Sequence, residues 1–159
     1  QEKMPVFLNG SAIMKEGDQM ERSKKLILIA DDDVQMVYSV KTLLESSGFD
    51  VIFTYRSDKV IELACEHKPD LIILDVMFAG VGIPDGIELS RRINQNDATS
   101  SIPVIILSGV KKVMDFSSNL EPDEDWMPVR AFLDKPIRPE TLLNEIKKHL
   151  STENGEGNE

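Results

Sequence analysis

Five short apolar runs recur along the chain with helical periodicity between them, and that alternation limits the folds open to it more than any single residue does. Leu26 to Ala30, Val51 to Phe53, Leu71 to Leu74, Val104 to Leu107 and Ala131 to Leu133 are too continuous for strands with one solvated face. They read as strands of a sheet covered on both sides. Asp33 is placed to cap a first helix with Val37, Val40 and Leu44 on one face and Gly48 where a C-terminal cap is wanted. Ser57 suits the cap of a second helix carrying Val60, Leu63 and Ala64, which stops before Pro69; Asp85 suits the cap of a third, with Leu89 and Ile93 spaced for burial. Pro139 opens a last helix whose Leu142, Leu143, Ile146 and Leu150 face inward, with Lys147, Lys148 and His149 at the negative end of its dipole. The fourth helix is weak: about two turns near Val113 to Leu120, then a loop-like acidic "EPDEDWMP". The pattern predicts an α/β chain of the (βα)5 type, a doubly wound, five-stranded parallel sheet with right-handed crossovers.

Charge and length narrow the partners. A formal net charge of −10 over 159 residues disfavours nucleic acid and anionic membrane, which select basic surfaces. No apolar run approaches the roughly 20 residues of a membrane span, and no secretory signal is visible. The lone Cys65 cannot form an internal disulfide, which points to a reducing cytoplasm and reads as a small packed side chain. Residues 1–23 show no sustained period and read as a flexible extension, with Met20 as a candidate internal start. Residues 151–159 read as a disordered acidic tail. The domain is then 24–150, and no output domain follows it in the sequence, so it acts through a partner or is a piece of a larger chain.

Sites in doubly wound sheets lie beyond the carboxyl ends of the strands, where the strand order reverses. The first strand ends in Asp31, Asp32 and Asp33, the third in Asp75, the fourth in Ser108, and the fifth is followed by Lys135 and Pro136. Only the second ends without such a group, as suits an outer strand. Singly, an Asp after a strand reads as a helix cap and a Ser as a turn former. Together they converge on one edge. Carboxylates crowded there repel by roughly 4 kcal/mol at 4 Å near a surface, unless a cation sits among them. A hard divalent ion with oxygen ligands, Mg²⁺ by preference, turns that cost into binding. With Asp33 used as a cap, Asp31, Asp32 and Asp75 form the metal-facing group. A carboxylate beside Mg²⁺, an ammonium and a hydroxyl meets the needs of phosphoryl transfer, so an aspartyl-phosphate site is inferred.

At these residues the chain resembles the receiver domain of two-component response regulators. The likeness runs from Lys24 to Leu150 and rests on "LILIADDD", "PDLIILDVM", "PVIILSG" and "FLDKPI" in that order. It implies the CheY-like, flavodoxin-type strand order 2-1-3-4-5. It also implies Asp75 as phosphoacceptor and Asp31 and Asp32 as the acidic pair holding Mg²⁺, with the main-chain carbonyl of Met77 as a further ligand. Ser108 would bind a phosphoryl oxygen, Lys135 would pair with the phosphoryl group, the Lys135–Pro136 peptide would be cis, and Phe132 would be the aromatic switch. Phe132 reads equally as half-buried strand packing. The implied donor is a histidine kinase or histidine phosphotransfer protein, and the implied result is a surface altered for an output protein; a homodimer is left open.

Some features depart from the family pattern. The connection "VMFAGVGIPDG" from Asp75 to the Asp-Gly pair of the family pattern is longer than usual by about three residues and lacks the usual proline, Gly109 replaces the common Ala, and the Ser108 to Lys135 segment is long. Gly109 would leave more room for donor or partner, and the altered fourth crossover implies an unconventional partner surface. Met77 and Val110 stand where the family flanks the hydrolytic water. Both are apolar, so self-dephosphorylation should be slow. His67 and His149, without ligands at metal spacing, read as surface residues, the acidic run Glu121 to Asp125 as a solvated loop, and Trp126 as a partner anchor or as packing over the fourth helix.

Two other classes compete with this reading. A haloacid-dehalogenase-type phosphohydrolase would use Asp31 and Asp33 in an Asp-x-Asp pair, but Gln35 stands where that family needs Thr or Val. A receiver-like interaction module that is never phosphorylated would not require the acidic set and lysine. The preferred expectation is a signalling domain that catalyses only its own phosphorylation and dephosphorylation.

Overall fold

The computed structural model describes residues 22–77, 85–109 and 129–151. Five parallel strands, β1 (Leu26–Ala30), β2 (Asp50–Thr54), β3 (Leu71–Asp75), β4 (Val104–Ser108) and β5 (Ala131–Asp134), lie in the order β2-β1-β3-β4-β5. Four helices accompany them among the described residues: α1 (Val34–Ser46), α2 (Val60–His67), α3 (Asp85–Gln95) and α4 (Pro139–Ser151). This is the expected flavodoxin-like arrangement, with the strand order reversing between β1 and β3. The expected weak fourth helix, Val110 and Trp126 lie outside the described residues.

Continuous apolar runs make this sheet because both of its faces are covered. Leu28, Ala30, Ile72, Leu74 and Ile106 pack under Val60 and Ala64 of α2 and Leu89 and Ile93 of α3. Ile27, Ile29, Leu71, Ile73 and Ile105 pack under Val37, Val40 and Leu44 of α1 and Leu142, Ile146 and Leu150 of α4. Each fully buried Leu or Ile contributes about 1.5–3 kcal/mol, so the central strands β1, β3 and β4 form the rigid floor from which the strand ends project.

Local chemistry closes the elements. The Asp33 carboxylate accepts the N–H groups of Gln35 and Met36 at 3.0 and 3.1 Å, capping α1 as expected. At the other end Gly48 takes φ +94°, its N–H donates to Glu45 and that of Phe49 donates to Leu44, a Schellman closure that glycine favours. Helix α2 differs from expectation. It is entered through a 3₁₀ turn, Ser57–Lys59, and no side chain caps it at Lys59, because the turn itself carries the chain into the helix. Asp85 is the first residue of α3, not a residue before it. The histidines are more covered than expected: His149, with 14% side-chain exposure, lies 3.3 Å from Glu145, and His67 lies 3.9 Å from Glu66. Cys65 is half-buried, its sulfur 3.9 Å from the Asn96 amide nitrogen. Among the described residues no helix is long and apolar enough to cross a membrane.

Candidate functional site

The carboxyl edge of the sheet gathers the polar strand ends. Asp31 follows β1 directly and Asp75 is the last residue of β3, and since β1 and β3 are neighbours in register their carboxylates share the cleft at the switch point. One carboxylate oxygen each from Asp31, Asp32 and Asp75 falls within 4.8 Å of the others. Asp31 is 1% exposed and Asp75 6%, whereas Asp32 is exposed at the rim. Lys135, just beyond β5, reaches over β4 to this group. Its Nζ donates to Asp31 Oδ2 at 2.8 Å and lies 3.3 Å from Asp75 Oδ1. The other Asp31 oxygen accepts the Asp33 N–H at 2.8 Å, and the Met77 N–H donates to Asp75 Oδ1 at 3.4 Å.

Two buried carboxylates therefore share one ammonium. Burial pushes the Asp31 carboxyl above its ordinary pKa of 3.8, and the hydrogen bonds from Lys135 and the Asp33 amide reverse this only in part, while the Asp75 charge adds to the rise. For Lys135 the balance differs. Burial alone lowers its pKa, but the Asp31 hydrogen bond and the charges of Asp31 and Asp75 more than compensate, holding it above 10.5 and charged.

Ser108 is the last residue of β4, 4% exposed and paired in register with Asp134, and its carbonyl accepts the Lys135 N–H at 2.7 Å. Serine and lysine are thus tied through the main chain. The Lys135–Pro136 peptide is cis, as expected. Phe132 is half-buried against the cluster beneath α2 and α3, and the Met77 side chain packs on that same cluster. Asp31, Asp32, Asp75, Ser108 and Lys135 thus stand at one sheet edge; Phe132 sits farther back in β5, and Val110 lies outside the described residues.

Gly109 has space for an alanine side chain among the described residues. A Cβ there would lie 3.9 Å from Lys135 Cδ and 4.0 Å from its Cβ, ordinary contact distances. Gly109→Ala is accordingly expected to raise stability by about 0.4–1 kcal/mol through the unfolded chain, read as a higher urea midpoint at unchanged slope. A second glycine, Gly86 of the Asp-Gly pair that follows Asp75, was given no role at the site by the sequence. A Cβ on Gly86 would clash with the main-chain carbonyl oxygen of Asp75. Its sequence signals are the Asp-Gly pair of the family pattern and a glycine in the first turn of a helix, a costly choice without a reason.

The donor set suits a small hard cation. Mg²⁺ takes oxygen ligands at about 2.0–2.1 Å in an octahedron, which spaces those ligands by roughly 3–4 Å, so modest contraction of the three acids would meet it. The response regulator receiver domain family model matches residues 27–147. PilH of Pseudomonas aeruginosa is 30% identical over 128 residues, which are 79% of this chain and 97% of that protein. The phosphate regulon transcriptional regulatory protein PhoB of the same organism is 30% identical over 126 residues, 79% of this chain but 52% of that protein, so the chain spans only about half of such longer relatives. A CheY-like receiver domain protein of Methanospirillum hungatei superposes with TM-score 0.68 at 26% identity, covering 85% of this chain and 100% of that one. The BeF3-activated receiver domain of RstA from Klebsiella pneumoniae gives TM-score 0.66 at 26% identity over 79% and 98% of the two chains. With five parallel strands in the order 2-1-3-4-5, an acidic cluster at the switch point and a family match over most of its length, the chain belongs to the response regulator receiver domain family.

Proposed function

We propose that the domain, residues 24–150, takes a phosphoryl group from a phosphohistidine onto Asp75 and alters its surface for a partner. One observation carries the reading: the Lys135 ammonium lies 2.8 Å from Asp31 and 3.3 Å from Asp75 in a cluster that includes Asp32. An Asp75 carboxylate oxygen attacks phosphorus, the new O–P bond forms as the P–N bond breaks, and the electron pair leaves on the imidazole nitrogen. Lys135 neutralises charge on the phosphoryl oxygens, and Ser108 offers them a hydroxyl. Asp31, Asp32, Asp75 and the Met77 carbonyl would hold Mg²⁺. Bound there, the ion supplies charge neutralisation for the transferring group.

The phosphodonor is a histidine kinase or histidine phosphotransfer protein, the output protein is a separate partner or a further domain, and a cytoplasmic setting fits a phosphohistidine donor. The hydrolase reading is weakened by Asp33, whose carboxylate already caps α1 through two main-chain N–H groups and so is not positioned as an acid. The test uses Mg²⁺ and a small acyl phosphate. The expected result is one phosphoryl mass gain, acid-stable and base-labile, on the peptide containing Asp75. No modification with any donor favours a scaffold, and many turnovers of phosphoesters favour a hydrolase.

The apolar Met77 side chain, packed on the core, offers no hydrogen bond to a hydrolytic water. Met77→Asn is expected to hasten phosphate loss by about 2–10-fold, the worth of one hydrogen bond in the transition state. Release of inorganic phosphate from the purified phosphoprotein measures it, and an unchanged rate refutes the role.

A further inference from the structure

Helix α3 begins against the main chain of the strand that carries Asp75. Gly86, its second residue, is buried, and its N–H, one of the donors a helix start leaves unsatisfied, donates to the Val76 carbonyl at 3.2 Å. A Cβ at Gly86 would clash with the Asp75 carbonyl oxygen and stand 2.8 Å from Val76 Cα and 3.1 Å from the Asp75 carbonyl carbon. No side chain intervenes: backbone meets backbone. Gly86 does not take a left-handed φ, so close approach, not conformational freedom, is what selects glycine here.

The Asp75 main chain is therefore held from two sides. Asp75 pairs with Leu107 in the β3–β4 ladder, and the Val76 N–H donates to Leu107 at 3.0 Å. From behind, the first turn of α3 presses on the same two peptides.

We infer that Gly86 is a positioning residue for the Asp75 carboxylate, letting the α3 backbone seat the peptide from which the nucleophile projects. The inference rests on the phosphoacceptor reading for its functional meaning, since misplacing a reacting group by about 1 Å can cost on the order of 10²-fold in rate. A methyl group at position 86 must displace Asp75 and Val76 or push α3 away. The groups that meet the donor's phosphoryl oxygens, Ser108 and Lys135, are on other strand ends and stay in place.

The test compares wild type, Gly86→Ala and Ile146→Val; the last trims the core on the opposite face of the sheet. In Gly86→Ala the maximal rate of phosphorylation by acetyl phosphate at saturating Mg²⁺ is expected to fall about 10–100-fold, while the donor concentration giving half that rate moves less than about threefold. Amide resonances of Asp75, Val76 and Met77 should shift in the same variant. Ile146→Val should keep the wild-type rate, which separates misplacement from general loss of stability. A Gly86→Ala rate within about twofold of wild type, or unmoved amides at 75–77, overturns the inference. Should that variant fail to fold, hydrogen exchange in the wild-type chain decides: a Gly86 amide as protected as that of Val76 supports the clasp, and a freely exchanging one refutes it. A wild-type chain that accepts no phosphoryl group overturns the phosphoacceptor reading, and the amide measurements, which need no phosphorylation, still decide the clasp.

Discussion

Asp75→Asn is expected to leave the chain unable to take a phosphoryl group while raising the melting temperature of the metal-free protein. The first effect is the loss of the nucleophile, since an amide oxygen does not form the acyl phosphate. The second follows from charge. Asp31 and Asp75 are both nearly buried and share the single ammonium of Lys135, and the Asp75 charge is one of the causes that raise the Asp31 pKa, after burial itself. A carboxyl whose folded pKa lies above its ordinary 3.8 contributes most below pH 3.8 and loses that contribution as pH rises through the folded pKa. At neutral pH the Asp31 carboxylate is thus a net cost, and removing the like charge beside it reduces that cost. A relief of about 1 kcal/mol corresponds to roughly 2–4 °C. Intact mass after treatment with Mg²⁺ and an acyl phosphate reads the first effect, and a thermal melt in chelator reads the second. Phosphorylation that survives the substitution would place the nucleophile on another acid. A lower melting temperature would mean that the attraction of Asp75 to Lys135 outweighs the repulsion.

Much of this site was legible because its parts are local. A carboxylate that follows an apolar strand is visible in sequence, and the parallel topology sends every such residue to the same edge. Asp33 was legible for the same reason, since a cap is judged within one turn of helix. The parts that escaped are contacts between elements. That Lys135 and Asp31, 104 positions apart, meet at one edge was legible from the strand order; that they pair directly at 2.8 Å was not, because side-chain reach has no periodicity. Gly86 escaped because the close approach of two backbones leaves no mark except the missing side chain. The start of α2 escaped differently: Ser57 has the right chemistry for a cap, yet the chain enters the helix through a 3₁₀ turn that brings Val60 to the core without one. Burial of the histidines depends on what packs over them.

Lys135→Met should act in the opposite sense to Asp75→Asn on stability and in the same sense on chemistry. Methionine keeps an unbranched stem of similar reach but removes the charge, leaving two buried carboxylates facing each other without the ammonium that pairs them among the described residues. Breaking a fully buried pair costs about 3–5 kcal/mol; Lys135 keeps 21% side-chain exposure, which lowers the expected cost to about 2 kcal/mol, or roughly 4–8 °C in chelator. The raised Lys135 pKa sets the pH window: its contribution is complete below 10.5 and is lost only as pH climbs through the higher folded value, so the wild-type advantage should be flat across neutral pH. Saturating Mg²⁺ should restore most of the lost melting temperature, because a divalent cation among Asp31, Asp32 and Asp75 replaces the missing positive charge. Phosphorylation should not recover with it. Without the ammonium to meet the charge on the phosphoryl oxygens, the rate at saturating Mg²⁺ is expected to stay about 10²–10³-fold below wild type. The two readouts separate the roles of lysine and metal. A melting temperature that ignores Mg²⁺ would show that the three acids do not take the ion, and a wild-type rate in the folded, Mg²⁺-rescued variant would remove Lys135 from the phosphoryl-transfer step.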